Sequence, residues 1–221
     1  MEMSLTSSCS PSRKSALLLM IFLAGFACRA NSGVRVDRYP PFVAQSWFPL
    51  VEGSRYWYSG QFQGKTYQDV FTVVRHRTPF GPLFYFADEL MKDPTPSLSA
   101  NMFGLAGYTT TKTEVLTIPA TYLNGFQREE SAHAQTLLRL PLVIGASTEL
   151  RDDGTIVQLT VAGRESVTVP AGTFKDCARI EIHSQINSTK ESSTVWLAEG
   201  VGLIKWSRAT GRVDELTKYQ R

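Results

Sequence analysis

The chain has 221 residues, 43% of them hydrophobic and 19% charged, with a formal net charge of +3. That composition describes a globular core rather than a disordered tail, and the length admits one large domain. The charge is mild, and no Lys/Arg cluster or basic stripe marks a nucleic-acid surface.

Arg13-Lys14 precedes an apolar run from Ala16 to Ala27 that ends on small residues. A basic region, a short hydrophobic region and a small-residue end make residues 1–27 a secretory signal peptide. The run is shorter than the about 20 residues that span a bilayer. Cys28 follows directly, and Leu23-Ala-Gly-Phe-Ala-Cys28 resembles the lipobox of bacterial lipoproteins. It departs from that pattern at Gly25 and Phe26, where the family prefers Leu and a small residue. Ordinary cleavage after Ala27 or Ala30 is the competing reading. The resemblance implies lipidation of Cys28, with a membrane as partner and the bacterial envelope (periplasm or cell surface) as location. Cys9 leaves with the leader, and an acylated Cys28 leaves Cys177 without an intrachain partner. A small buried thiol beside Phe174 is expected there.

Residues 28–45, with Gly33, Pro40 and Pro41 and no periodicity, read as a tether. Residues 46–221 read as the β domain. Tyr56 and Tyr58 flank Trp57 in a first strand, paired across the Gln63-Gly64 turn with Tyr67–Arg77. After Pro79–Pro82, the run Leu83-Phe-Tyr-Phe-Ala87 is apolar on both faces and must be covered on both. Residues 88–100 and 119–136 read as loops or lids, the latter tolerating a helical turn. Strands resume near Met102–Thr109 and Thr113–Ile118, and Leu138–Ile144 is an edge strand across Pro141. Asp152-Asp153-Gly154 makes a hairpin turn, and Ala162-Gly163-Arg164 reads as another. Ser166–Val169, Ala178–Gln185, Thr194–Leu197, Leu203–Ser207 and Arg212–Thr217 complete the set, with Ala178, Ile180 and Ile182 on a buried face and Trp196 in the core. Strands at this spacing with almost no helix beyond the leader predict an all-β fold. The expected form is a single antiparallel, strongly curved sheet or half-open barrel of about ten strands.

Two blocks carry a resemblance. Phe48-Pro49-Leu50-x-x-Gly53 with Trp57 and Tyr58 is similar to the opening of uncharacterised secreted bacterial proteins and lipoproteins, with the aromatic triplet displaced by one. Val169-Pro-Ala-Gly-Thr-Phe174 and Trp196-x-Ala198-x-Gly200-Val-Gly202-Leu-x-Lys205 resemble their closing blocks, with Glu199 where proline is frequent. The resemblance implies a half-barrel like that of the lipoprotein-localisation carriers, and no activity.

His76, His133 and His183 are scattered without ligand spacing, Asp152-Asp153 is explained by its turn, and Asn187-Ser-Thr189 fits a turn as well as a glycosylation acceptor. No nucleotide, hydrolase or dinucleotide motif appears. The chain is therefore read as non-enzymatic, with no catalytic or metal residues and no cofactor; a hydrolase-type enzyme is the third reading. Two readings stay ahead of it. In one the domain is an interaction or structural module for an envelope protein partner, its core filled. In the other it binds a lipid or other apolar ligand in a groove of Tyr56, Trp57, Phe84, Tyr85 and Phe86. Alternation puts Phe84 and Phe86 on one face and Leu83, Tyr85 and Ala87 on the other. An apolar void of several hundred Å³ favours the groove, a packed interior the module.

Overall fold

The computed structural model describes residues 43–78, 81–89, 107–118, 134–152, 154–186 and 188–221. Every described residue belongs to one compact unit, Tyr39–Arg221. The leader, Cys28, the tether up to residue 42, most of the two lid segments, residues 102–106 and His133 lie outside the described residues.

Among the described residues one helical turn, α1 (Val43–Trp47), precedes twelve strands: β1 (Arg55–Phe62), β2 (Lys65–Thr78), β3 (Gly81–Asp88), β4 (Gly107–Thr110), β5 (Glu114–Ile118), β6 (Gln135–Arg139), β7 (Ser147–Asp152), β8 (Thr155–Val169), β9 (Gly172–Ile186), β10 (Thr189–Ala198), β11 (Gly202–Ser207) and β12 (Val213–Gln220). They form one antiparallel sheet in the order β6-β5-β4-β3-β2-β1-β12-β11-β10-β9-β8-β7. Every strand pairs with its sequence neighbours except at one place. The first and last strands meet where β1 pairs with β12, which leaves β6 and β7 as the edges.

Those two edges lie side by side, so the sheet is a nearly closed barrel. Side chains bridge the gap where a ladder would close it. The Gln135 amide donates to the Arg151 carbonyl and accepts from the Arg151 N–H, both at 2.7 Å. The Thr148 hydroxyl donates to the Leu137 carbonyl, also at 2.7 Å.

Local chemistry accounts for the hairpins. Gln63 and Gly64 sit at φ 50° and 74°, the mirror-image turn that matches strand twist. Gly154 at φ 76° does the same work after Asp152. The expected turn at Ala162–Arg164 is absent. β8 runs on through it, with register shifts at Val161/Gly163 and Glu165/Val167. β9 is equally long and supplies a ladder past that point, so Gly163 absorbs a bulge instead of reversing the chain. The strand expected across Pro141 ends at Arg139, just before the cis Leu140–Pro141 bond, and β6 is an edge as its proline-flanked sequence implies.

Alternation builds the core. Tyr56, Tyr58, Phe71, Val73, Phe86, Val115, Leu159, Val161, Ile180, Ile182, Val195, Leu197, Ile204 and Leu216 all point to one buried cluster. Each such side chain stabilises the fold by about 1.5–3 kcal/mol relative to exposure. Trp196 is not among them, contrary to the sequence reading. Val195 and Leu197 take the fully buried positions, which leaves Trp196 partly buried against the cluster. There its indole N–H donates to Glu165 at 2.5 Å and the Lys205 ammonium lies 5.8 Å from its ring.

Candidate functional site

The concave face is where a half-barrel would take a ligand, and here the chain's own opening segment occupies it. α1 is only five residues long, and its sequence VAQSW carries no capping carboxylate, so packing rather than propensity holds it. The Phe48 N–H bonds to the Ala44 carbonyl at 3.0 Å, and the Gly200 N–H reaches the Ser46 carbonyl at 2.6 Å. Ala44, Trp47, Phe48 and Leu50 are all buried. The Phe48 ring stands edge-on to Phe86 at 5.9 Å and tilted against Tyr108 at 5.1 Å. Phe86 in turn meets Tyr56 at 6.2 Å and Tyr108 at 5.8 Å. The space left among Phe48, Pro49, Tyr56, Phe86 and Leu203 is about 10 Å³, less than one water needs.

Two further contacts lock this plug. The Arg164 guanidinium lies 4.4 Å from the Trp47 ring and donates to the Leu142 carbonyl at 3.1 Å. Gly202, at φ 93°, leaves room for Pro49: a Cβ there would come within 3.0 Å of the proline Cδ. The opening block and the glycine-rich closing block are thus two halves of one contact.

The five groove residues divide between two faces. Tyr56 and Phe86 meet inside, and Phe84 packs partly buried against the same cluster. Trp57 and Tyr85 point outward. Trp57 lies between the Arg55 guanidinium at 5.1 Å and the Lys218 ammonium at 4.7 Å. Leu83 shares the outward face of Tyr85 yet is only 2% exposed. Gly107 allows this close approach, since a Cβ there would sit 2.9 Å from Leu83 Cδ2. The two-faced burial read from Leu83–Ala87 is therefore present, with Phe86 inward and Leu83 outward.

Charged groups gather inside near β1, β2 and β12. Asp214, 4% exposed, accepts from Arg208 Nε at 2.8 Å and Arg212 Nε at 2.6 Å. Arg212 also pairs with Asp69 and lies 4.1 Å from the Tyr67 ring centroid. Gly60 makes the room, because a Cβ there would meet Asp214 Oδ1 at 2.4 Å. Burial pushes the Asp69 carboxyl up, against the opposing pull of Arg212. Burial, reinforced by Tyr56 and Asp214, raises the Tyr58 hydroxyl well above its usual range. That hydroxyl donates to the Leu203 carbonyl at 2.8 Å. Two carboxylates and two guanidiniums satisfy one another here, which is the pattern of a structural network.

Other chemistry-bearing groups are dispersed. His183 Nδ1 and Ser192 Oγ are 2.9 Å apart and exposed, in a surface cleft of about 320 Å³ that also takes in Gln158 and Glu149. Register places Glu149 two strands from His183, and its carboxylate is paired with Arg151 at 2.7 Å. Among the described residues no three His, Cys, Asp or Glu side chains gather as a metal site. Cys177 is buried, its thiol pushed up by that burial and donating to the Phe174 carbonyl at 3.3 Å. This is the opposite of an activated thiolate.

A second apolar space, unforeseen in the sequence, opens at the seam. Leu138, Leu142, Leu159, Val161 and Ile180 enclose about 210 Å³ between β6 and the β7–β9 strands, with Arg139, Ser147 and Thr148 around it. Alternating leucines near Pro141 were legible, but nothing local to them announces that β6 faces β7.

Comparison with known proteins adds the following. A family model described as DUF3108-like matches residues 98–214. No curated protein matches the chain in sequence. Two solved structures are similar to it: a presumed exported protein with a YmcC-like fold from Bacteroides fragilis, and a presumed lipoprotein from Parabacteroides distasonis. The first is 14% identical at TM-score 0.43, covering 80% of this chain and 99% of its own. The second is 14% identical at TM-score 0.43, covering 79% and 98%.

Proposed function

The chain belongs to the DUF3108-like family, and from that premise we propose that it is a non-enzymatic β module of the bacterial envelope, tethered to a membrane through lipidated Cys28 and docking another envelope component. The observation that carries this reading is the plug. Trp47–Leu50 fills the concave face and leaves about 10 Å³ beside Tyr56 and Phe86. A drug-sized ligand needs a cavity of roughly 300–1,000 Å³, so the space around Tyr56 and Phe86 serves packing and not cargo. The ionic groups around buried Asp214 support the same view, since Asp69, Arg208, Arg212 and Asp214 are spent on one another. The leader and the lipobox-like Leu23–Cys28 supply the envelope address.

The test is an NMR titration of the mature chain with a long-chain fatty acid, watching the aromatic signals of Tyr56, Phe86 and Tyr108. A packed interior predicts that these signals stay put at saturating ligand. Shifts at all three that saturate together, and that disappear in a folded Phe86→Leu variant, would return the groove reading and remove this one.

A further inference from the structure

We propose that the β6–β7 seam is a binding site for the hydrocarbon chain end of an anionic amphiphile. The floor is wholly aliphatic: Leu138, Leu142, Leu159, Val161 and Ile180. Its about 210 Å³ falls below the 300–1,000 Å³ of sites that engulf a drug-sized ligand. It therefore suits one chain end with the head group left outside. The rim supplies the charge. The Arg139 side chain is 72% exposed, and among the described residues only its Nε is engaged, by Glu114 at 3.3 Å. The rest of the guanidinium fork is free to meet a carboxylate or phosphate. The acid nearest along β7, Glu149, is already taken by Arg151 at 2.7 Å. Ser147 and Thr148 hydroxyls line the same rim.

Access is built in as well. Val143 and Ile144 are 56% and 61% exposed in the loop joining β6 to β7, an apolar approach for a chain leaving a bilayer or micelle. Among the described strands the seam is also the one neighbouring pair held by side chains and not by a backbone ladder. It can widen by breaking the Gln135–Arg151 and Thr148–Leu137 bridges without cutting the sheet. The site touches the plug only through Leu142, whose carbonyl accepts from the Arg164 that stacks on Trp47, so it stands whether or not the space beside Tyr56 and Phe86 is filled.

The experiment titrates the mature chain with octanoate, octanol and, separately, phosphatidylglycerol vesicles, reading methyl signals of Leu138, Leu159 and Val161. Octanoate is expected to bind saturably. Ala146→Trp and Ser147→Phe, each placed on an exposed residue at the cavity mouth, should weaken it roughly tenfold or more by filling the space, with melting temperatures unchanged. Arg139→Gln should weaken octanoate by about two- to fivefold, as for an exposed ion pair, and leave octanol unaltered. Vesicle-induced shifts at the same methyls, lost in Ala146→Trp, identify a bilayer lipid as the source of the chain. Failure of monomeric octanoate to saturate the site overturns the proposal. So does equal affinity in wild type and both folded mouth-filling variants, or a vesicle response with no monomer response.

Discussion

Phe48→Ala removes the centre of the plug and tests whether α1 belongs to the core. The ring is 2% exposed and meets Phe86 and Tyr108 at 5.9 and 5.1 Å. Truncating a buried phenylalanine costs about 3–5 kcal/mol through lost transfer and an unfilled cavity. Two aromatic contacts, each worth about 0.5–1.5 kcal/mol beyond area, place this site toward the upper end. For a domain of this size the fall in Tm should be on the order of 10 °C. Denaturant and thermal unfolding followed by circular dichroism give both numbers. Phe48→Leu, which keeps most of the volume, should cost only about 1–1.5 kcal/mol. The cavity left by alanine is lined with apolar groups and should stay dry and take up a small guest such as benzene or xenon. If Phe48→Ala lies within about 1 kcal/mol of wild type, the segment is a peripheral strap and the packed-interior argument fails.

Cys28→Ala should move the protein from the membrane to the soluble envelope fraction, since stable anchoring rests on more than one acyl chain; a wild type already soluble with Asn31 at its terminus refutes the lipid anchor. Gly202→Ala should destabilise by about 1–3 kcal/mol, because φ 93° is strained for alanine and Pro49 stands 3.0 Å from the new Cβ. Gly200→Ala, at φ 78° with nothing within 4 Å, should cost less, and equal losses would deny Pro49 its part. Arg55 first, then Thr72, holds Glu89 below the usual carboxylate range. A depressed folded pKa adds stability above the unfolded value, and that stability is lost as pH falls through the folded one. Glu89→Gln should therefore trail wild type by less than about 1 kcal/mol at pH 7, with the gap closing as pH drops below about 4.3; a gap that persists in acid contradicts this.

The fold was legible because alternation and turn chemistry are local. Ala178, Ile180 and Ile182 declared their buried face, and Gln63-Gly64 and Gly154 declared their turns. Gly163 misled because glycine marks bulges and turns alike, and only the length of the partner strand decides between them. Trp196 is packed on the core but only partly buried, because the parity of Val195 and Leu197 gives the fully buried positions to them. The groove residues were read from aromatic content, which cannot say that Phe48, on another segment, packs on Phe86 and Tyr108 where the groove was expected. The seam cavity depends on β6 lying beside β7 without pairing to it, a consequence of β1 meeting β12 far along the chain.

The central claim is that the opening segment is a fixed part of the core. Native-state hydrogen exchange at the Phe48 and Gly200 amides measures this directly, since they bond to the Ala44 and Ser46 carbonyls. If the plug is core, both exchange only through global unfolding, at the same free energy as the amides of Ile180 and Val195. Exchange through a low-energy opening that leaves β9 and β10 protected, or protection that drops when an amphiphile is added, would show a displaceable lid over a ligand site.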